Sequence, residues 1–113
     1  MSNPNRFPEF VQTLPEVDFP FPGARGWLLQ GADQQVVFLE IEETIEVPEH
    51  QHEEQWELVL AGAVELNCGG TVRRYQSGES FCIPAGTTHG ATVSAGYRAV
   101  IVFNSPDRYG TKS

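Results

Sequence analysis

The sequence predicts an all-β domain, a sandwich or closed barrel, on three observations. From Gly26 onward apolar and polar residues alternate in short runs, glycine-bearing turns separate those runs, and no segment repeats apolar residues at helical spacing. At 113 residues the chain is long enough for one domain with its own core and too short for two.

Residues 1–22 hold five of the eight prolines (Pro4, Pro8, Pro15, Pro20, Pro22) and four of the seven phenylalanines (Phe7, Phe10, Phe19, Phe21). Proline fixes φ and removes a backbone donor, so this is an extended arm rather than a helix or central strand. Its aromatic content suits packing over its own barrel or a partner subunit; the plainer alternative is a partly ordered tail with a few anchored side chains. The barrel domain is expected over residues 23–113. Its first clear strand is Gln35 to Val47, read as one long half-buried strand with Val37, Leu39 and Ile41 on one face and Phe38, Glu40 and Glu42 on the other. Further strands are expected at Trp56 to Leu60, Ala63 to Asn67, Thr71 to Tyr75, Ser80 to Ile83, Gly90 to Val93 and Tyr97 to Phe103, with turns at Asn67 to Gly70 and Gln76 to Gly78. A small chain of many short strands protects its edges by closing or by pairing with a second copy.

Charge narrows the partners. Seven basic residues against fifteen acidic ones give a net charge of −8, which opposes a phosphate backbone or an anionic membrane surface. No nucleic acid and no membrane are therefore expected as partners; a small-molecule ligand or a metal is. No apolar run approaches the roughly 20 residues needed to span a bilayer. Nothing near Met1 resembles a basic region followed by an apolar signal core, and Cys68 and Cys82 form no CxxC pair, so a cytoplasmic protein is expected. Eight glutamates lie from Glu40 to Glu57. A solvated strand face and loop explains them better than a calcium site, since no EF-hand pattern is present.

Histidine is the informative residue. The chain has three, His50, His52 and His89. Side chains alternate along a strand, so His50 and His52 point to one side, and neutral imidazole is a common ligand for divalent transition metals. His89 follows a proline-glycine turn and completes the set if the sheet curls so that the faces look inward. The alternative is a barrel that has lost its metal and keeps the histidines as ordinary polar residues in its mouth.

The stretches PEHQHEEQWELVLAG (48–62) and GESFCIPAGTTH (78–89) resemble the two signature motifs of the cupin superfamily. In that family the first motif is H-x-H, a short gap, a glutamate and a glycine seven residues beyond it. The second is glycine, five residues, P-x-G, two residues and histidine, and it matches at Gly78, Pro84, Gly86 and His89. In the first motif, the position seven before Gly62 is Gln55 rather than glutamate. Two further family positions also differ: the closing asparagine is Val93, and the glycine six before His50 is Thr44. The resemblance implies a cupin jelly-roll barrel, a homodimer, and a divalent metal (zinc, iron, nickel, manganese, cobalt or copper) on His50, His52, Gln55 and His89. Glu57 competes with Gln55 for the fourth place, because it follows His52 by a gap of four and shares a strand face with Gln55. It implies a function among metal-dependent isomerases or lyases using a Lewis-acid site on a small oxygenated metabolite, iron-dependent dioxygenases, and non-enzymatic ligand-binding or sensory modules.

Three imidazoles and an amide are neutral, so such a set leaves a divalent ion's charge uncompensated and its Lewis acidity high. His52 to Gln55 is an odd interval, which requires a turn at Glu53 and Glu54 for both to face inward. Glu57, behind Gln55, is the candidate catalytic residue, either a general base or an acceptor that orients a ligand histidine. Trp56, on the opposite face, is expected in the core or an interface. Cys82 is expected as a small buried apolar residue. Tyr97 and Arg98 are candidates to meet an anionic substrate, with a structural ion pair the plainer role for the arginine.

Overall fold

The computed structural model describes residues 6–112. Its strands are β1 (Ala24–Gln30), β2 (Gln35–Ile41), β3 (Ile45–His50), β4 (Gln55–Ala61), β5 (Ala63–Cys68), β6 (Thr71–Gln76), β7 (Ser80–Ile83), β8 (His89–Val93) and β9 (Arg98–Phe103). They form two antiparallel sheets, one in the order β1-β2-β9-β4-β7 and one in the order β3-β8-β5-β6. No helix forms among the described residues, and none is long and apolar enough to cross a membrane. The inward alternate residues of both sheets merge into one core: Val37, Leu39, Val59 and Ile101 of the first meet Val64, Leu66 and Val93 of the second. This is the all-β fold that the alternation predicted, in the jelly-roll form that the motif resemblance implied.

The expected single strand from Gln35 to Val47 is two strands. The chain bends at residues 42–44 and passes from one sheet to the other. Ile41 and Ile45 are separated by an even number of positions, so the inward phase survives the bend and periodicity alone cannot register it. Of the eight glutamates in this region, six are exposed, in keeping with a solvated face; Glu40 and Glu57 are buried.

Glu40 is buried because the outer face of β1 and β2 is covered rather than wet. Phe7 and Val11 pack on Trp27, with Phe38, Leu60 and Val100 around them. The Phe7 ring meets Phe38 edge-on at 5.5 Å and Trp27 at 6.4 Å. Arg6 donates to Glu40 at 2.8 Å, and the Phe7 amide donates to the other carboxylate oxygen at 3.2 Å. Farther along, Glu16 bridges Trp27 and Val17 bridges Thr111, which ties both ends of the described chain to the edge of the first sheet. Burying each large side chain of this second layer stabilises by roughly 1.5–3 kcal/mol. Pro4, counted with this proline-rich stretch, lies outside the described residues.

Two expectations for the other end of the same outer face are corrected. Trp56 and Cys82 are cross-strand partners on β4 and β7, and both are exposed, Trp56 to 38%. Alternation assigned Trp56 the correct face, but the covering segment does not reach that far. Cys82 is therefore not a buried apolar residue, and Trp56 is not core.

Gly62, between β4 and β5, adopts φ of 74°, and a Cβ there would lie 2.8 Å from the Tyr97 Cα. Gly62→Ala therefore meets both left-handed backbone strain and a backbone clash. It should lower the unfolding free energy in urea titrations by about 2–4 kcal/mol.

Candidate metal centre

The centre starts from a register. In the β3–β8 pair, Val47 lies opposite Ala91, and His50 lies opposite His89, so β3 carries one residue more than β8 across this interval. The extra residue is a bulge at Pro48 and Glu49, where proline cannot donate to a ladder. It reverses the side-chain phase, so that His50, three positions after Val47, faces the same cavity as Val47. Gly90 permits the close approach, since a Cβ there would meet the Val47 carbonyl at 2.9 Å.

His52 lies beyond the end of β3, in the connection to β4, not on one strand with His50 as the sequence suggested. Its segment is nonetheless fixed. The Gly86 amide donates to the His52 carbonyl at 3.1 Å, and Gln51 donates to the Thr88 hydroxyl at 2.8 Å. A bend at Glu53 then lets Gln55 open β4 facing inward. The three rings converge with centroids 5.1 Å apart for His50 and His52, 4.3 Å for His50 and His89, and 4.7 Å for His52 and His89. One ligand atom from each lies within 4.8 Å of the others, which suffices to identify a three-histidine cluster able to hold a metal ion.

Hydrogen bonding sets the tautomers. Nδ1 of His50 meets the Pro48 carbonyl at 2.8 Å, that of His52 the Glu53 carbonyl at 2.6 Å, and that of His89 the Thr87 carbonyl at 2.9 Å. A backbone carbonyl only accepts, so each Nδ1 carries a proton, which leaves Nε2 as the nitrogen of each ring that can ligate a metal. Burial pushes the His52 pKa down to about 4 and lowers that of His89, so both rings are neutral at physiological pH. Neutral, oriented imidazoles are the form that binds a divalent ion.

Gln55 and Glu57 follow on β4, both buried, and both line the cavity. The Gln55 Nε2 donates to one Glu57 oxygen at 3.0 Å, and the Tyr97 hydroxyl donates to the other. With its NH₂ committed to a carboxylate, the Gln55 amide keeps its carbonyl oxygen free. No carboxylate joins the histidine cluster among the described residues. Burial pushes the Glu57 pKa up to about 7 against the opposing hydrogen bonds from Tyr97 and Gln55, and burial likewise raises that of Tyr97. Glu57 thus orients an amide rather than a histidine, and it titrates near neutrality.

The cavity, about 100 Å³, has mainly apolar walls, including Phe19 and Phe21 from the N-terminal stretch. It also includes Arg108, which sequence reading missed. A lone arginine in a loop after the last strand carries no spacing signal; only the return of residues 105–112 past the barrel mouth brings it in. Arg98, by contrast, has its guanidinium 5.4 Å over the Phe7 ring on the outer face, away from the cavity.

A family model described as a cupin domain matches residues 35–103. Among solved structures the chain is similar to KdgF from Halomonas sp., at 29% identity over 81% of this chain and 86% of that one, with a TM-score of 0.69. It is also similar to an RmlC-like cupin from Shewanella frigidimarina, at 24% identity over 83% and 86% of the two chains, with a TM-score of 0.69. Oxalate decarboxylase from Bacillus subtilis shares the fold at 14% identity, a TM-score of 0.71 and coverage of 85% of this chain but 28% of that one. No curated protein matches the sequence significantly.

Replacing His50, His52 or His89 by alanine should weaken zinc binding by more than the roughly 10–100-fold typical of losing an outer hydrogen-bond partner, read by competition with a chromophoric chelator. In metal-free protein, pH acts through two opposing groups. Unfolded His52 takes up its proton near 6.5 and the folded ring near 4, so its contribution is present above 6.5 and is lost as pH falls toward 4. Glu57 runs the other way: with a folded pKa of about 7 against 4.5, its contribution is present below 4.5 and is lost as pH rises through 7. Glu57→Gln should therefore gain on the wild type between pH 4.5 and pH 7. The gain has a ceiling of about 3 kcal/mol, measured by denaturant titration with a chelator present.

Proposed function

The chain belongs to the cupin family, and from that premise we propose that it is a metal-dependent enzyme acting on a small oxygenated metabolite, of the isomerase or lyase type. His50, His52 and His89 hold a divalent transition metal through Nε2, with the Gln55 carbonyl oxygen as the fourth protein ligand. The observation that carries this reading is the common hydrogen-bond pattern of the three rings: every Nδ1 is committed to a backbone carbonyl, and every Nε2 is left free. A structural histidine cluster has no need of three identical commitments. When bound, the ion supplies Lewis acidity, undiminished by any anionic ligand in the set.

The chain's own groups supply the rest. Glu57 holds the Gln55 amide in place through one oxygen and accepts from Tyr97 at the other. Its pKa of about 7 places it where a carboxyl can both take and return a proton at neutral pH. The walls around it are mainly apolar, which raises the cost of its ionised form. We assign Glu57 the proton transfer and Gln55 the ligand role, because only Gln55 retains an uncommitted oxygen at this end of β4. A homodimer is the assembly we propose, supported by the edge strands β1 and β6, where Leu29 and Val72 are exposed.

Protein purified without added metal should contain a stoichiometric transition metal by elemental analysis. With a substrate identified by screening small hydroxy and oxo compounds, Glu57→Gln should lose roughly 10²–10⁴-fold in turnover while keeping its metal. Full turnover in that variant refutes the proton-transfer role. Light scattering should return twice the chain's 12.5 kDa; the mass of a single chain refutes the dimer.

A further inference from the structure

Arg108 stands at the threshold of the cavity. It lines the inner space beside the histidines and also an outer space of about 450 Å³, and His50 and Tyr109 share that wall. Its guanidinium lies 4.3 Å from the Tyr109 ring centroid and 5.7 Å from that of Phe103. The stack is anchored, because buried Gln35 donates to the Tyr109 carbonyl and accepts from the Tyr109 amide, both at 3.0 Å. Yet the Arg108 Nε is buried with no hydrogen-bond partner, and no ion pair engages Arg108 among the described residues. Asp18 lines the outer space without pairing to it. Glu57, the acid of the inner lining, already accepts from Gln55 and Tyr97. In a chain of net charge −8, a stacked cation with an unpartnered Nε and no ion pair, set beside the three histidines, has the chemistry to receive an anion.

We propose that Arg108 is the carboxylate-recognition residue of this site, so that its ligand is a small oxygenated carboxylate. Arginine presents Nε–H and one Nη–H as a planar fork that matches the two oxygens of a carboxylate, and stacking on Tyr109 holds the fork's plane. The acid group sits at the threshold, where the outer space admits it. The oxygen-bearing carbons enter the small inner cavity toward the histidines. The assignment rests on the metal reading above only for that inner end; the fork itself is independent of it.

Glycolate, the simplest hydroxy acid, tests this against glycolamide, which has the same outline and no charge. In zinc-loaded protein, the Arg108 Nε–H signal in proton–nitrogen correlation spectra reads the contact directly. Glycolate should shift that signal saturably and bind about tenfold or more tighter than glycolamide. Arg108→Gln should keep its zinc stoichiometry, lose about tenfold or more toward glycolate, and bind glycolamide unchanged. Arg108→Lys retains charge without the fork and should fall between; it carries the comparison if the glutamine variant does not fold. Equal binding of the two probes by the wild type overturns the proposal, as does glycolate affinity that survives Arg108→Gln or is undiminished in Arg108→Lys. Methyl phosphate binding tighter than glycolate overturns the carboxylate class. Should zinc fail to bind, the metal reading falls by itself. Glycolate titrated against metal-free protein then decides Arg108 alone: a selective Nε–H shift upholds the subsite, and its absence overturns it.

Discussion

The pairing of β3 with β8 is the constraint on which the rest of the site depends. One extra residue at Pro48 and Glu49 turns His50 inward and sets it opposite His89. Without that bulge, strict alternation from Val47 would send position 49 into the cavity and His50 toward the outside. Gly90 is the matching concession on the other strand, since a side chain there would press on the Val47 carbonyl. The hydrogen bond from the His50 ring to the Pro48 carbonyl then draws the bulge itself into orienting the ligand.

A second constraint is electrostatic. The chain is strongly acidic, but its glutamates are largely on the surface, and the cavity is furnished with three imidazoles, an amide, one cation at its threshold and one carboxyl. Desolvation suits each to its place: it keeps His52 and His89 unprotonated and lets Glu57 keep its proton to a higher pH. Removing water raises the cost of charge on every group, and the groups respond in opposite directions because imidazole is charged when protonated and carboxyl when not. The low dielectric that shapes these protonation states also strengthens any interaction made with an entering anion.

The segments flanking the barrel have a share in the site that their sequence position hides. Phe19 and Phe21 furnish wall, and the Phe19 ring rests edge-on against Tyr109 at 5.1 Å. Tyr109 is held by Gln35 on β2, and the Val17–Thr111 bridge closes the two ends against each other. Arg108 is thus carried on a loop, but one held after it by Gln35 on the Tyr109 backbone and before it by the Asn104 amide on the Glu54 carbonyl.

Alternation and turn residues by themselves determined the all-β class, most strand positions to within a residue or so, and the inward face of the regular strands, but not that of His50, which the bulge at Pro48 and Glu49 sets. The spacing of His50, His52 and His89 with Gly78, Pro84 and Gly86 determined the family and the cluster. Those features are local, because strand period, turn conformation and motif spacing are written in consecutive residues. Only the tertiary structure decided where the 35–47 run breaks, since an even interval across the bend leaves the pattern intact. It also decided that Trp56 and Cys82 stand exposed while Glu40 is covered, and that Glu57 is bound to Gln55 and Tyr97. It brought Arg108 to the cavity. Each of these depends on what a distant segment lays over a face or carries to an opening, and pairings between residues far apart in the chain leave no period in the sequence from which to read them.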